Sequence, residues 1–218
     1  MELKGKKINF LGDSITEGHG ASCVENRFTD IIAREEGIVM RNYGIGGTRF
    51  ARQAKPSDNP RWDLDFLSRA KEMDEDADAV VIFGGTNDFG HGDAELGCPT
   101  DRCDNTFYGA CHLLFSDIRT RWPKAKILVL TPLHRCNEEN PKGDGYKAHD
   151  IAPLKTYVEI IREVAEFYSL PLLDLYKNSG LQPRLPVIQE MYMPDGLHPN
   201  DAGYRVLAEL VTNALKAL

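Results

Sequence analysis

The chain has 218 residues, 42% of them hydrophobic and 27% charged, with a formal net charge of −7. That length suits one fairly large domain, 1–218, with enough apolar material for a sizeable core. The acidic balance argues against nucleic acid as a partner, which calls for a basic stripe, and charges interrupt every apolar run well short of the ~20 residues of a membrane span.

Residues 1–12 (MELKGKKINFLG) carry too short an apolar stretch for a signal peptide. They read as a first strand over 7–11 that ends abruptly in Gly12-Asp13-Ser14. A serine after a glycine and an aspartate is, alone, ordinary turn chemistry. Residues 27–36 put Phe28, Ile31 and Ile32 on one face of a helix. A second strand, 38–43 (IVMRNY), runs into Gly44-Ile45-Gly46-Gly47. Residues 63–74 are a weaker helix. The third strand, 79–83 (AVVIF), ends in Gly84-Gly85-Thr86-Asn87-Asp88. A helix over 106–121 collects Phe107, Ala110, Leu114 and Ile118, and a fourth strand follows at 127–131 (ILVLT). The next helix, 150–168, takes Asp150 as its cap and Pro153 in its first turn. A fifth strand spans 171–175 (PLLDL). Asp195-Gly196-Leu197-His198 then precedes a last helix, 201–218, capped by Asn200, with apolar residues at a 3.6-residue period.

Strands that alternate with helices, several of them apolar throughout, imply a parallel sheet covered on both faces. The long connections 84–105, 132–149 and 176–199 all follow strands. They therefore gather at the carboxyl edge, where open α/β sheets bind ligands. The five cysteines, Cys23, Cys98, Cys103, Cys111 and Cys136, have neither disulfide-framework nor zinc spacing and read as free thiols of a cytoplasmic protein. A local Cys98–Cys103 bridge is the alternative.

Acyl transfer needs a nucleophile, a base, a group that orients the base, and donors for an oxyanion. Ser14, His198 and Asp195 supply the first three by type. Asn87 and one of Gly44, Gly46 or Gly47 supply the donors, and residue type alone does not choose among the glycines. Asp13 and Asp88 read as turn-fixing residues. The Gly-x-Ser-x-Gly elbow of α/β-hydrolases does not occur.

Together these segments resemble the four sequence blocks of the SGNH, or GDSL-type, hydrolases. Gly12-Asp13-Ser14-Ile15 matches the first block, with Ile in place of Leu, and residues 42–47 match the second. Gly85-Thr86-Asn87-Asp88 matches the third and Asp195-Gly196-Leu197-His198 the fourth, in the family's order. The resemblance implies a flavodoxin-like three-layer α/β/α sandwich with five parallel strands in the order 2-1-3-4-5. It implies a serine esterase working without metal or cofactor. Ser14 is then the nucleophile, His198 the base and Asp195 its orienting carboxylate. The oxyanion hole consists of the Ser14 and Gly47 N–H groups and the Asn87 side chain.

Arg49, His134 and Arg135 follow strand ends at the same edge and are the candidate substrate contacts. Polar loops there favour a short, acetyl-type acyl group on a hydrophilic or carbohydrate alcohol. The apolar residues 185–193 (LPVIQEMYM) argue the other way: they line an acyl pocket or are buried between copies of a homo-oligomer. The competing functions are a lysophospholipase or acyl-thioesterase for longer chains and a non-catalytic flavodoxin-like binding module.

Overall fold

In a computed structural model covering residues 1–218, the apolar runs form a five-stranded sheet. The strands are β1 (Lys7–Gly12), β2 (Val39–Gly44), β3 (Ala79–Phe83), β4 (Lys126–Leu130) and β5 (Leu172–Leu173), all parallel, in the spatial order 2-1-3-4-5. Gly12 lies opposite Gly44 on one side and Phe83 on the other. The turns that follow β1, β2 and β3 therefore leave the sheet at one level.

Nine helices connect the strands: α1 (Ser14–Glu17), α2 (Phe28–Glu36), α3 (Phe66–Ala70), α4 (Thr86–Gly90), α5 (Phe107–Arg121), α6 (Leu154–Phe167), α7 (Leu175–Asn178), α8 (Pro186–Tyr192) and α9 (Asp201–Ala217). Successive strand side chains point to opposite faces. Accordingly Val80 and Ile82 enter one core with α3, α5 and α6, whereas Ala79, Val81 and Phe83 enter another with α2 and α9. Along α9 the residues Tyr204, Leu207, Val211 and Leu215 are fully buried. Each such aliphatic side chain stabilises the fold by about 1.5–3 kcal/mol relative to exposure.

The element boundaries depart from expectation where side chains take other partners. The helix expected at 63–74 contracts to α3, because the Asp65 carboxylate accepts from Ser68 N–H (2.7 Å) and starts the helix there. Asp150 does not cap α6. Pro153 occupies the N-cap in extended conformation, and Leu154 N–H is already taken by the Glu138 carbonyl (2.8 Å). The fifth strand is cut short because Asp174 turns to cap α7 and to pair with Arg162. Residues 185–193 contribute α8, with Val187 and Met191 exposed and Met193 buried. All five cysteines are free thiols, and no helix is long and apolar enough to cross a membrane.

Candidate active site

The chain leaves β1 through a turn that only glycine permits at position 12. A Cβ there would lie 1.9 Å from Thr16 Oγ1. Asp13 caps α1, its buried carboxylate accepting from Ile15 N–H at 3.0 Å. Burial pushes the Asp13 pKa up to about 6, against the hydrogen bond from Ile15 and the charges of His198 and Arg69. Ser14 is the first residue of α1, and its Oγ lies 3.0 Å from His198 Nε2, across 184 residues of sequence. On the other side of the ring, His198 Nδ1 is 2.7 Å from Asp195 Oδ2. Asp195 Oδ1 accepts from the backbone N–H groups of Leu197 (2.9 Å) and His198 (2.7 Å). Burial acts to raise the Asp195 pKa, but these hydrogen bonds and the imidazole outweigh it and hold the carboxyl well below its ordinary range. Gly196 permits the turn: its φ is +78°, and a Cβ would meet Cys136 Sγ at 2.5 Å.

In the glycine loop after β2, three of the four backbone N–H groups have partners. Gly44 N–H donates to Asn42 Oδ1 (2.8 Å), Ile45 N–H to the Gly12 carbonyl (3.1 Å) and Gly46 N–H to Glu17 Oε2 (2.7 Å). Gly47 N–H has no acceptor in the protein. Its φ of +79° and the Trp62 indole, 2.0 Å from where a Cβ would stand, exclude any larger residue. Asn87, on α4, donates one Nδ2 hydrogen to the Thr48 carbonyl (3.1 Å), which leaves the other for a ligand. Asp88 is structural, as expected. Its carboxylate accepts from Phe50 N–H (3.0 Å) and Ala51 N–H (2.9 Å), binding α4 to the glycine loop. Ser14, Gly47, Asn87 and His198 all line one cavity of about 750 Å³.

The three candidate substrate contacts fare differently. Arg49 lines the cavity, yet its guanidinium is buried and engaged. It donates to Ser57 Oγ (2.7 Å), Asp63 Oδ1 (2.7 Å) and the Trp62 carbonyl (3.2 Å), so it braces the 57–63 loop. His134 and Arg135 lie outside the cavity. His134 pairs with Glu138 and stacks on Tyr176, and Arg135 pairs with Asp144 and donates to the Thr86 carbonyl. None of residues 185–193 lines the cavity either.

Cavity residues that sequence reasoning missed are Glu17, His19, Arg61, Trp62 and His91. Glu17 holds both Gly46 N–H and the Arg61 guanidinium, and Trp62 packs on His91 with ring centroids 4.6 Å apart. They belong to loops whose meeting depends on the tertiary fold, and no local pattern marks them. Burial, reinforced by the Arg49 charge, lowers the His91 pKa to about 4. The native state therefore resists protonation, and stability is lost as pH falls from about 6.5 towards that value. Between pH 7 and pH 4.5 the parent chain should lose more unfolding free energy than His91→Gln, measured by denaturant titration. Equal losses would contradict the assignment.

A sequence model of GDSL-like lipases and acylhydrolases matches residues 10–206. The chain belongs to the GDSL-like lipase/acylhydrolase family. No curated protein matches it at a significant level. Among solved structures, one superposes with a TM-score of 0.85 at 34% identity, covering 100% of this chain and 99% of its own. A Lactobacillus plantarum protein does so with a TM-score of 0.83 at 29% identity, covering 99% and 98%. A two-domain esterase active on acetylated mannans shares the fold at 22% identity, with a TM-score of 0.61 over 99% of this chain and 49% of that one. Family membership makes the cavity at Ser14 the candidate active site of a hydrolase.

Proposed function

We propose that the protein is a serine esterase that hydrolyses short, acetyl-type acyl esters of a hydrophilic or carbohydrate alcohol through an acyl-enzyme. The observation that carries this reading is the Ser14–His198–Asp195 relay facing two uncommitted donors, Gly47 N–H and Asn87 Nδ2. His198 takes the Ser14 proton as Oγ attacks the ester carbonyl carbon. Ser14 N–H, Gly47 N–H and Asn87 stabilise the oxyanion, a role in which one donor is typically worth ~10²–10³ in kcat. Collapse expels the alcohol, which leaves with the proton from His198. Water, deprotonated by His198, then attacks the acyl-enzyme and releases the acid.

The lining supports a short acyl group. Only three of the 21 cavity residues are hydrophobic. A long chain gains ~0.8 kcal/mol per buried CH₂ only where an apolar wall receives it. Polar walls with Trp62 and Tyr146 at hand suit a hydroxylated alcohol, and the fold-level likeness to an acetyl-mannan esterase is consistent with that.

A fluorophosphonate probe should label the parent chain and leave Ser14→Ala unlabelled. Equal labelling of both would remove Ser14 from the mechanism. With p-nitrophenyl esters, kcat/KM should be higher for acetate than for octanoate, and the reverse order would overturn the short-acyl reading.

A further inference from the structure

We propose that His19, Asp195 and His198 form an inhibitory site for a divalent transition-metal ion, Zn²⁺ being the probe of choice. The mechanism above makes no use of His19, yet the fold holds it firmly beside the base. Its backbone N–H donates to the Ser14 carbonyl (2.9 Å), and its carbonyl accepts from the Tyr204 hydroxyl (2.7 Å). The flanking Gly18 and Gly20 have φ of +104° and +91°. A Cβ on Gly20 would stand 2.5 Å from the Pro199 carbonyl oxygen, so this turn packs directly on the segment that carries His198. The result is an exposed imidazole whose ring centroid is 4.2 Å from that of His198.

One ligand atom from each of the three side chains lies within 4.8 Å of the other two. Tetrahedral zinc with bonds of about 2.0–2.2 Å needs donor atoms about 3.3 Å apart, so small side-chain rotations complete the set. Two imidazole nitrogens and a carboxylate oxygen with one open position are a donor set that zinc takes. Either His198 nitrogen gives inhibition. Bound at Nδ1, the ion displaces the proton shared with Asp195, which moves to Nε2, and Nε2 then faces Ser14 as a donor and cannot take its proton. Bound at Nε2, it blocks the nitrogen that faces Ser14.

The inhibition rests on the esterase reading, whereas the binding does not, and two measurements separate them. In the first, zinc inhibition of p-nitrophenyl acetate hydrolysis is compared for parent and His19→Ala, each scaled to its own metal-free rate. The exposed thiols of Cys23, Cys98 and Cys136 also bind zinc, but both proteins carry them. The inhibition midpoint should rise at least tenfold in His19→Ala, with the parent recovering on addition of EDTA. An unmoved midpoint, including one accompanied by a lower metal-free rate, would overturn the proposal and leave His19 as packing for His198. In the second, Co²⁺ is added to Ser14→Ala, which needs no turnover. A visible tetrahedral d–d band should appear and be lost when His19→Ala or Asp195→Asn is added. A band that survives both changes would place the metal elsewhere. A His19-dependent band in a chain that hydrolyses no ester would sink the esterase reading and leave the metal site standing.

Discussion

Replacing His198 with alanine is expected to slow hydrolysis of p-nitrophenyl acetate on the order of 10⁴- to 10⁶-fold, with little change in KM. One imidazole serves both halves of the proposed reaction. A serine hydroxyl is a weak nucleophile until a base takes its proton, and His198 Nε2, 3.0 Å from Ser14 Oγ, is the base in reach. The same nitrogen returns the proton to the departing alcohol. Asp195→Asn leaves the turn's shape intact but presents an amide to Nδ1, so the ring is held in the wrong tautomer. A loss of about 10⁴-fold is expected there. Stability should not follow activity. The His198 ring is mostly covered, and its two hydrogen bonds, to Ser14 and Asp195, are each worth about 0.5–1.5 kcal/mol, well short of the expected rate loss. Steady-state kinetics with a denaturant melt on the same preparations checks both halves. A His198→Ala enzyme within tenfold of the parent rate would mean that another group removes the Ser14 proton. A rate loss matched by an equally large stability loss would assign the turn a structural role.

How much of this arrangement was legible beforehand differs from residue to residue. The strand order and the four polar strand ends were legible because each is a local pattern: an apolar run, then glycines and small polar residues where the chain turns. Gly47 was harder. Its sequence neighbours are also glycines, and only the partners of Gly44 and Gly46, Asn42 Oδ1 and Glu17 Oε2, show which N–H is left over. Of the candidate substrate contacts, Arg49 lines the cavity and Arg135 and His134 do not, a difference that local sequence does not reveal. A charged residue just past a strand end looks like a substrate contact, but Arg49 and Arg135 are buried and matched to Asp63 and Asp144, and His134 to Glu138. Those carboxylates lie on loops with no periodicity to place them. The apolar segment 185–193 left two readings open, an acyl pocket or an oligomer contact, for a similar reason. Its composition shows that it prefers contact with other apolar surface, and its direction is fixed only when Met193 turns inward and Pro186 starts α8.

Arg69→Met is expected to destabilise the fold by about 3–5 kcal/mol and to lower kcat even where the variant is fully folded. Arg69 sits in α3, within the stretch the sequence marks only as a weak helix, and its side chain is buried beneath the site. Nε donates to the Leu64 carbonyl at 2.9 Å. Nη1 donates to the carbonyls of Gly12 (3.2 Å) and Tyr43 (2.5 Å), and Nη2 to Gly12 (3.2 Å) and Thr48 Oγ1 (2.7 Å). Burial lowers its pKa to about 10, with the nearby Asp13 charge acting in the other direction, so it stays protonated at neutral pH. Methionine fills a similar volume but donates nothing. The Gly12 carbonyl keeps Ile45 N–H, but the Leu64 and Tyr43 carbonyls and Thr48 Oγ1 each lose a donor, at about 1–3 kcal/mol for any acceptor left unpaired. The functional consequence follows from where those acceptors lie. Gly12 immediately precedes the Asp13-Ser14 turn, Tyr43 precedes the glycine loop, and the Thr48 carbonyl is the one that holds Asn87 Nδ2. One guanidinium thus ties the β1 and β2 ends to the Thr48 segment that holds Asn87, beneath the proposed nucleophile and its proposed oxyanion donors. Arg69→Lys keeps the charge but places a single ammonium where a fork met four acceptors, so it should recover part of the stability and little of the rate. Guanidinium melts of both variants, with kcat measured well below their unfolding midpoints, test this. Parent-like kcat in a destabilised Arg69→Met would confine the residue to the core. Stability within about 1 kcal/mol of the parent would show that solvent or neighbouring donors replace the clamp.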